Sequence, residues 1–454
     1  MIRIDAQLRP QSLAPVLDRL FSVSAQKISS IQKNWNPRDG SPVFTVKGQY
    51  TSRGWTEWTQ GFQYGSAVLQ YDVSGENEFL KIGRDGTLKE MPRHVSHVGV
   101  HDHGFNTIST CGNLLRLIRE KKIPFDEWER NFYELAIKVS GAVQGARWTD
   151  IGEGQGYIYS FNGPHSLFAD TIRSLRVLAV AHQLGHVLMG EKDRRINLLE
   201  RLLQHAETTA RFNVYFGEGR DAYDVPGRVV HESIFNTNDG SFRCPSTQQG
   251  YSPFSTWTRG LAWILLGYAE EFEFLTQLPK EELNAFGGAE RILSAFRAVA
   301  EATANFYINN SPTDGIPYWD TGAPGLSKLG DYLDRAADPY NDWEPVDSSA
   351  AAIAAQGLIR LGNCLGKSGE KYLHAGLTVA SRVLQEPYLS IDPNHQGLIL
   401  HSVYHRPNGW DHIPPGKKIP CGESSMWGDY HARELALLTR RMARNEPYYT
   451  FYLK

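Results

Sequence analysis

Cysteine is scarce in this chain: four in 454 residues, Cys111, Cys244, Cys364 and Cys421. They lie far apart and match no metal-ligand spacing, so they read as small buried hydrophobes in a reducing compartment. Long apolar runs are missing as well. The opening "MIRIDAQLRPQSLAPVLDRL" lacks the continuous apolar core of a signal peptide, and no stretch approaches a membrane span. A cytoplasmic protein without a membrane partner is expected. Charge of one sign is also lacking. The net charge is −3 with both signs spread along the chain, and without a Lys/Arg cluster a nucleic-acid surface is not expected.

What is present is ordinary globular material, 41% hydrophobic and 21% charged, enough to bury a large core. A length prior of about 150 residues per domain would give three domains, but closed barrels run longer as one unit. Aromatics are plentiful, with 11 Trp, 21 Tyr and 20 Phe. Many stand beside polar residues in loops, which suits a sugar ring with one apolar face; most of the others read as core.

Helical periodicity dominates. In "STWTRGLAWILLGYAEEFEFL", Trp257, Leu261, Ile264, Leu265, Tyr268 and Phe272 fall on one face. "SLFADTIRSLRVLAVAHQLG" and "DSSAAAIAAQGLIRLGNCL" behave similarly. Alternating runs are scarce, so strands should be few and short, with one expected near "GLILHSVYH". A looser repeat pairs helices across Gly-rich polar turns, down to "SGENEFL" in one copy and "SGEKYL" in another. The count is about a dozen helices in about six hairpins. Gly/Ala-rich helices such as Ala350 to Gly357 would form an inner layer. Charged ones such as "EKDRRINLLERLLQHAETTARF" would form an outer one. Six hairpins closing on themselves make an all-α, (α/α)6 barrel. We expect one domain over 1–454, with 1–50 an arm and first helix, and function on the loops that open the inner helices. "TGAPGLSKLGDYL" and "NGWDHIPPGKK" read as loops over the mouth.

Two carboxylates draw notice. Asp102, in "HVGVHDHGFNTISTC", precedes an amphipathic segment, where it could cap free helix amides. His101 and His103 form an H-x-H pair that a metal hydrolase could use. The later histidines (His165, His182, His186, His205, His231) lie on or between helices with no H-E-x-x-H, so no metal is expected. His395, His401, His405, His412 and Asp411 read as hydrogen-bonded surface or rim residues. Asp170, in "SLFADTIRSLRVL", is expected one or two turns into a strongly apolar helix, flanked by Phe168 and Ala169. It could pair with Arg173 at i+3, or sit desolvated at the mouth with a raised pKa, as a proton donor working near neutrality requires.

The strings "HDHGF", "FADTIRSL", "QQGYSPFSTWTRGLAWILLGY", "PVDSSAAAIAAQGL" and "SSMWGDYHARELALL", in this order, resemble glycoside hydrolase family 88, the unsaturated glucuronyl hydrolases. The resemblance runs from about Trp55 to the last helix and is most specific at Ser255 to Trp263. It implies an α6/α6 barrel and an unusual hydrolysis. Polysaccharide lyases leave a uronic acid with a C4=C5 double bond; family members protonate C4, add water at C5, and let the hemiketal open. It implies no cofactor, an oligosaccharide as partner, Asp170 as general acid/base, and Asp102 as the carboxylate that holds substrate and biases Asp170's proton. Arg259 matches a residue suited to grip the uronate carboxylate, the alternative being an ion pair with a core acid. Trp58 and Trp263 match sugar platforms, though as plain core they would read the same. His231 and Gln249 match polar positions.

The chain departs from the family pattern at Ile172 and Arg173, at Phe161 where a Trp is usual, and at Gln248 where a His precedes Q-G-Y. Those positions are expected to touch the leaving sugar. The rival functions are an unsaturated rhamnogalacturonyl hydrolase, an inverting glycosidase on saturated uronides, and a non-catalytic oligosaccharide-binding protein.

Overall fold

A computed structural model describes residues 1–54 and 57–452; Trp55, where the family resemblance begins, lies outside them. Twelve helical units carry the architecture. They are α1 (Ala14–Asn34), α2 (Gln60–Ser74), α3 (Asn77–Glu90), and α4, which continues from His103–Thr107 through a wide π-type turn at Ile108–Gly112 into Asn113–Arg119. Next come α5 (Glu127–Ala146), α6 (Thr171–Ser174 running into Arg176–Gln183), α7 (Leu198–Asn213) and α8 (Thr258–Leu275). The last four are α9 (Ala289–Asn309), α10 (Ser348–Leu365), α11 (Glu370–Val383) and α12 (Met426–Ala443).

The even-numbered helices form a closed inner ring: α2 packs on α4, α4 on α6, α6 on α8, α8 on α10, α10 on α12, and α12 returns to α2. The odd-numbered helices stand outside, and α1 closes the ring by packing on α12 and α2. This is an (α/α)6 barrel.

The reason lies in the composition of the two sets. Every residue of α8 is buried, including Arg259, Glu270, Glu271 and Glu273, so the single apolar face expected there is really a helix enclosed on all sides. Its neighbours approach closely because small residues meet at the contacts. A Cβ on Gly357 of α10 would lie 3.0 Å from Leu266 Cα of α8, and one on Gly104 of α4 would collide with the Ser174 carbonyl of α6. The "SGENEFL" and "SGEKYL" segments both make the turn of a hairpin, between α2 and α3 and between α10 and α11; Gly75 ends α2 in the left-handed region at φ 70°.

Strands are short and sit in the connecting loops. Ser166–Phe168 pairs with Glu232–Phe235, which pairs with Phe242–Ser246, all antiparallel. The expected strand at "GLILHSVYH" is not one: that segment contributes a single bridge, Leu389 to Ile399. Cys244 is exposed rather than buried, while Cys111 and Cys421 are buried. No helix among the described residues is long and apolar enough to cross a membrane.

Candidate active site

All six inner helices open toward one end of the barrel. Residues at or just before their first turns meet there around a cavity of about 440 Å³. Trp58 precedes α2, Asp102 and Asp170 occupy the residues before α4 and α6, and Trp257, Arg259 and Trp263 belong to the start of α8. The loop before α12 folds over the opening with Tyr404, His405 and Trp410. Asp102 stands at an N-cap position, yet its side chain makes no cap hydrogen bond; only its carbonyl does, accepting from the Phe105 amide at 2.9 Å. The carboxylate is therefore left for the cavity.

His101 sits between the two acids. Its Nε2 lies 3.0 Å from Asp170 Oδ2 and 3.7 Å from Asp102 Oδ1. On the other side of Asp170, His231 Nε2 lies 3.6 Å from Oδ1, just beyond hydrogen-bond reach. The His231 tautomer is fixed by its other nitrogen. Nδ1 accepts the backbone amides of Gln248 and Gln249 at 3.0 and 3.3 Å, so the ring hydrogen sits on Nε2 and points at Asp170. Asp170 Oδ1, His101 Nδ1 and His231 Nε2 are buried with no hydrogen-bond partner in the protein. Polar atoms left this way at a cavity wall mark a place prepared for something else.

The electrostatics reverse one expectation. Burial pushes Asp170 toward protonation, but the hydrogen bond from His101 and the nearness of His231 outweigh it, holding its carboxyl well below the usual range. The acid with the raised pKa is Asp102, through burial and then the nearby Asp170 charge, with His101 working against both. His101 is lowered by burial but raised more by Asp102 and Asp170, with a net upward shift. The cluster thus splits its acids, with Asp102 shifted up and Asp170 shifted down. Nor does Asp170 pair with Arg173, whose guanidinium reaches Glu270 and Glu434 instead.

Arg259 lines the cavity, but its guanidinium is already engaged. Nη1 contacts Asp347 Oδ2 at 2.7 Å and the Val403 carbonyl, while Nη2 donates to Gln249 Oε1 at 3.0 Å and the Tyr404 carbonyl at 2.8 Å. The ion pair with a core acid is the alternative that is realised, so a free fork for a uronate is not present. Asp347 in turn caps α10, accepting from the Ser349 amide at 3.0 Å. The arrangement orients Gln249: with Oε1 bound to Arg259, its Nε2 remains as donor.

The aromatic wall is continuous. Trp58 stacks on Trp427 at 5.3 Å, Phe105 packs against Trp263 at 5.0 Å, and Phe161 stacks on His101 at 6.0 Å. Trp58 and Phe161 are half-buried, whereas Trp263 is buried. Of the departures, Phe161 and Gln248 line the cavity; Ile172 and Arg173 do not. Ile172 is enclosed against Gly267 and Arg173 is ion-paired deeper in the barrel, so neither can touch a leaving sugar.

Sequence reasoning missed His101 as a member of the cluster and Tyr404 as cavity wall; the "NGWDHIPPGKK" loop expected over the mouth does cover it, with Trp410 in the lining beside His405, which was expected at the surface or rim. The H-x-H string was a signal for the first; for Tyr404, the aromatic spacing in "YHRPNGW" was the only one. Asp411, read as a hydrogen-bonded surface or rim residue, is half-buried and organises that loop by accepting the Tyr404 and His405 amides at 2.5 and 3.2 Å.

One group among the described residues offers donors close enough to share an ion: His101, Asp102 and Asp170, with ligand atoms within 4.8 Å of one another. The donor set fits poorly. His101 Nε2 is already bonded to Asp170, and His103 turns away to the His97 carbonyl at 2.9 Å. Of the later histidines, His182 bonds Glu282 at 2.6 Å and His205 accepts the Ile158 amide at 3.0 Å.

No family model matches the chain. It is similar to an unsaturated glucuronyl hydrolase of Formosa agariphila, 26% identical over 381 residues, covering 83% of this chain and 78% of that protein. A second unsaturated glucuronyl hydrolase, from Bacillus sp. strain GL1, is 26% identical over 400 residues, 85% of this chain and 87% of its own. Among solved structures, an unsaturated glucuronyl hydrolase specific for heparin superposes with a TM-score of 0.72 at 20% identity, over 95% of this chain and 98% of that one; this likeness speaks for the fold. The resemblance carried by the motifs therefore extends over most of the chain.

Proposed function

We propose, with the likeness to unsaturated glucuronyl hydrolases as premise, that this chain is a glycoside hydrolase that removes a terminal 4,5-unsaturated uronic acid from lyase-generated oligosaccharides. The observation that carries the reading is the buried run Asp102–His101–Asp170–His231 at the wall of a sugar-sized cavity. The N-terminal ends of α2, α4, α6 and α8 border that cavity with their positive dipole ends, an environment suited to a uronate. Gln249 Nε2 and His231 Nε2–H are the donors we assign to its carboxylate. Trp58, Phe161 and Trp263 supply apolar faces for the sugar, and Arg259 acts through Gln249.

The reaction needs one proton delivered to C4 and one taken from the water that adds at C5. In the free site Asp170 is ionised and His101 holds a hydrogen toward it. The substrate carboxylate brings another negative charge into a drying cavity, which favours every protonated acid. The hydrogen then passes from His101 Nε2 to Asp170 Oδ2, and Asp170 donates it to C4. Positive charge at C5 is stabilised by the ring oxygen. Water adds there and gives its proton back to the Asp170 carboxylate, and the hemiketal at C5 opens to release the remaining sugar. Asp102 sets a second carboxylate beside His101 and helps it hold the hydrogen that it passes on. An inverting glycosidase would keep its carboxyls roughly 6.5–9.5 Å apart to admit a water; here carboxylate oxygens of the two aspartates lie within 4.8 Å. A cytoplasmic location and the absence of a cofactor belong to the same reading.

The test uses lyase-generated unsaturated disaccharides and follows the ultraviolet absorbance of the conjugated enoate. Hydration abolishes it, with equal turnover in the presence of a chelator. Persistence of the absorbance with substrate bound would leave a binding protein, and cleavage of saturated uronides would leave an ordinary glycosidase.

A further inference from the structure

Outer helices of a barrel need one apolar face. Helix α5 has two. Its inner face is satisfied by Tyr133, Ala136, Ile137, Ser140, Gly141 and Gln144, all buried. On the opposite side Trp128, Phe132, Leu135, Val139 and Ala142 recur at i, i+4, i+7, i+11 and i+14, the spacing of a helix-pairing seam. Trp128 is 64% and Leu135 61% exposed, and Phe125, just before the helix, is 64% exposed. Trp128 and Phe132 stack on each other at 5.6 Å with an 11° interplanar angle, so the patch is contiguous. The hairpin strand Val187–Met189 lies against α5 and adds Met189, 54% exposed. Contiguous apolar surface of this kind is rare on a monomer and marks an interface.

The charges beside the seam indicate what covers it. In order they are Glu127, Arg130, Glu134 and Lys138. The ion pairs among them are long: Arg130 lies 3.9 Å from Glu127 and 3.8 Å from Glu134, and Lys138 lies 3.9 Å from Glu134, while Arg130 also donates to Asn131 Oδ1 at 2.9 Å and lies over the Phe125 ring. A second α5 laid antiparallel, with a twofold axis near Phe132, sets Glu127 opposite Lys138 and Arg130 opposite Glu134. The same operation brings Phe132 to its own copy, Trp128 to Leu135, and Phe125 to Val139. Self-complementarity in both charge and apolar order is the property of an isologous interface.

We propose that α5 pairs with α5 of a second copy of this chain, antiparallel about Phe132, to form a twofold dimer. The pairing lies on the outer wall, away from the cavity mouth, so it is independent of the proposed reaction. Sedimentation equilibrium of the full chain across the micromolar range should show the mass rising from one chain to two. Trp128→Glu should weaken that association by at least about 30-fold, with helical circular dichroism and the rate per chain unchanged. Lys138→Glu alone should weaken it, and the double variant Glu127→Lys/Lys138→Glu should restore it. A chain that stays monomeric at every concentration, a dimer indifferent to Trp128→Glu, or a double variant no better than the single one would each overturn the proposal.

Discussion

Two buried charge clusters lie along the same barrel axis, and they are built to opposite ends. The deeper one sets Arg173, Arg176 and Arg360 against Glu270, Glu273 and Glu434. Contacts of 3.0 Å for Arg173–Glu434 and 2.6 Å for Arg360–Glu273 hold it together, and the C-terminal Tyr449 hydroxyl closes it onto Glu434 at 3.0 Å. Three guanidinium groups face three carboxylates, so although burial works against the Glu434 charge, the surrounding arginines hold that carboxyl well below its usual range. One turn of α6 nearer the mouth, the side chains in direct contact with Asp170 and Asp102 are histidines, with the Arg147 charge farther off, and central polar atoms are left without protein partners. An Arg–carboxylate pair cannot move its proton at working pH; a His–carboxylate pair can. The lower cluster holds the helices together and the upper one is free to do chemistry.

Three substitutions test that contrast. The largest effect is expected at the mouth: Asp170→Asn should reduce turnover of the unsaturated disaccharide by about a thousandfold or more, with a cooperative melt retained. Activity within tenfold of the parent would remove Asp170 from the proton path. Next, Glu434→Gln leaves two buried guanidinium groups short of an anion and should cost about 3–5 kcal/mol in urea unfolding, while the folded fraction keeps its rate. A loss of rate without loss of stability would show that the deep cluster takes part in the reaction.

The smallest effect concerns pH. Asp102 has its pKa raised in the fold, so the folded state binds its proton more tightly and stability is lost as pH rises through that raised value. Asp170 is the opposite case: its contribution is present above the ordinary carboxylate range and lost on acidification. Asp102→Asn removes the first term, and the melting temperature at neutral pH should rise by about a degree or two. The same change takes away one of the anions that hold His101 protonated, so the alkaline limb of kcat/KM should move to lower pH. An unchanged limb would mean that His101 and Asp102 are not coupled to the working proton.

The barrel could be read from the chain because its cause is local. Helix spacing, the Gly-rich polar turns and the Ala350–Gly357 run each follow from neighbours a few residues apart. The same holds for placing Asp102 at a helix start, since it precedes an amphipathic run; Asp170, expected one or two turns inside its helix, instead stands at the N-cap because Ser166–Phe168 is drawn into a strand with Glu232–Phe235. It does not hold for Arg259, whose partners Asp347, Val403 and Tyr404 come from residues roughly 90 to 145 positions later. Nor does it hold for Tyr404, which enters the cavity lining only once the loop expected over the mouth closes on the inner ring. By itself, then, the sequence determined a ring of helix pairs with two acids at one rim. Only the tertiary structure decided which acid is shifted up and which down, because a pKa is set by charges and burial within a few ångströms, and those come from distant segments of the chain.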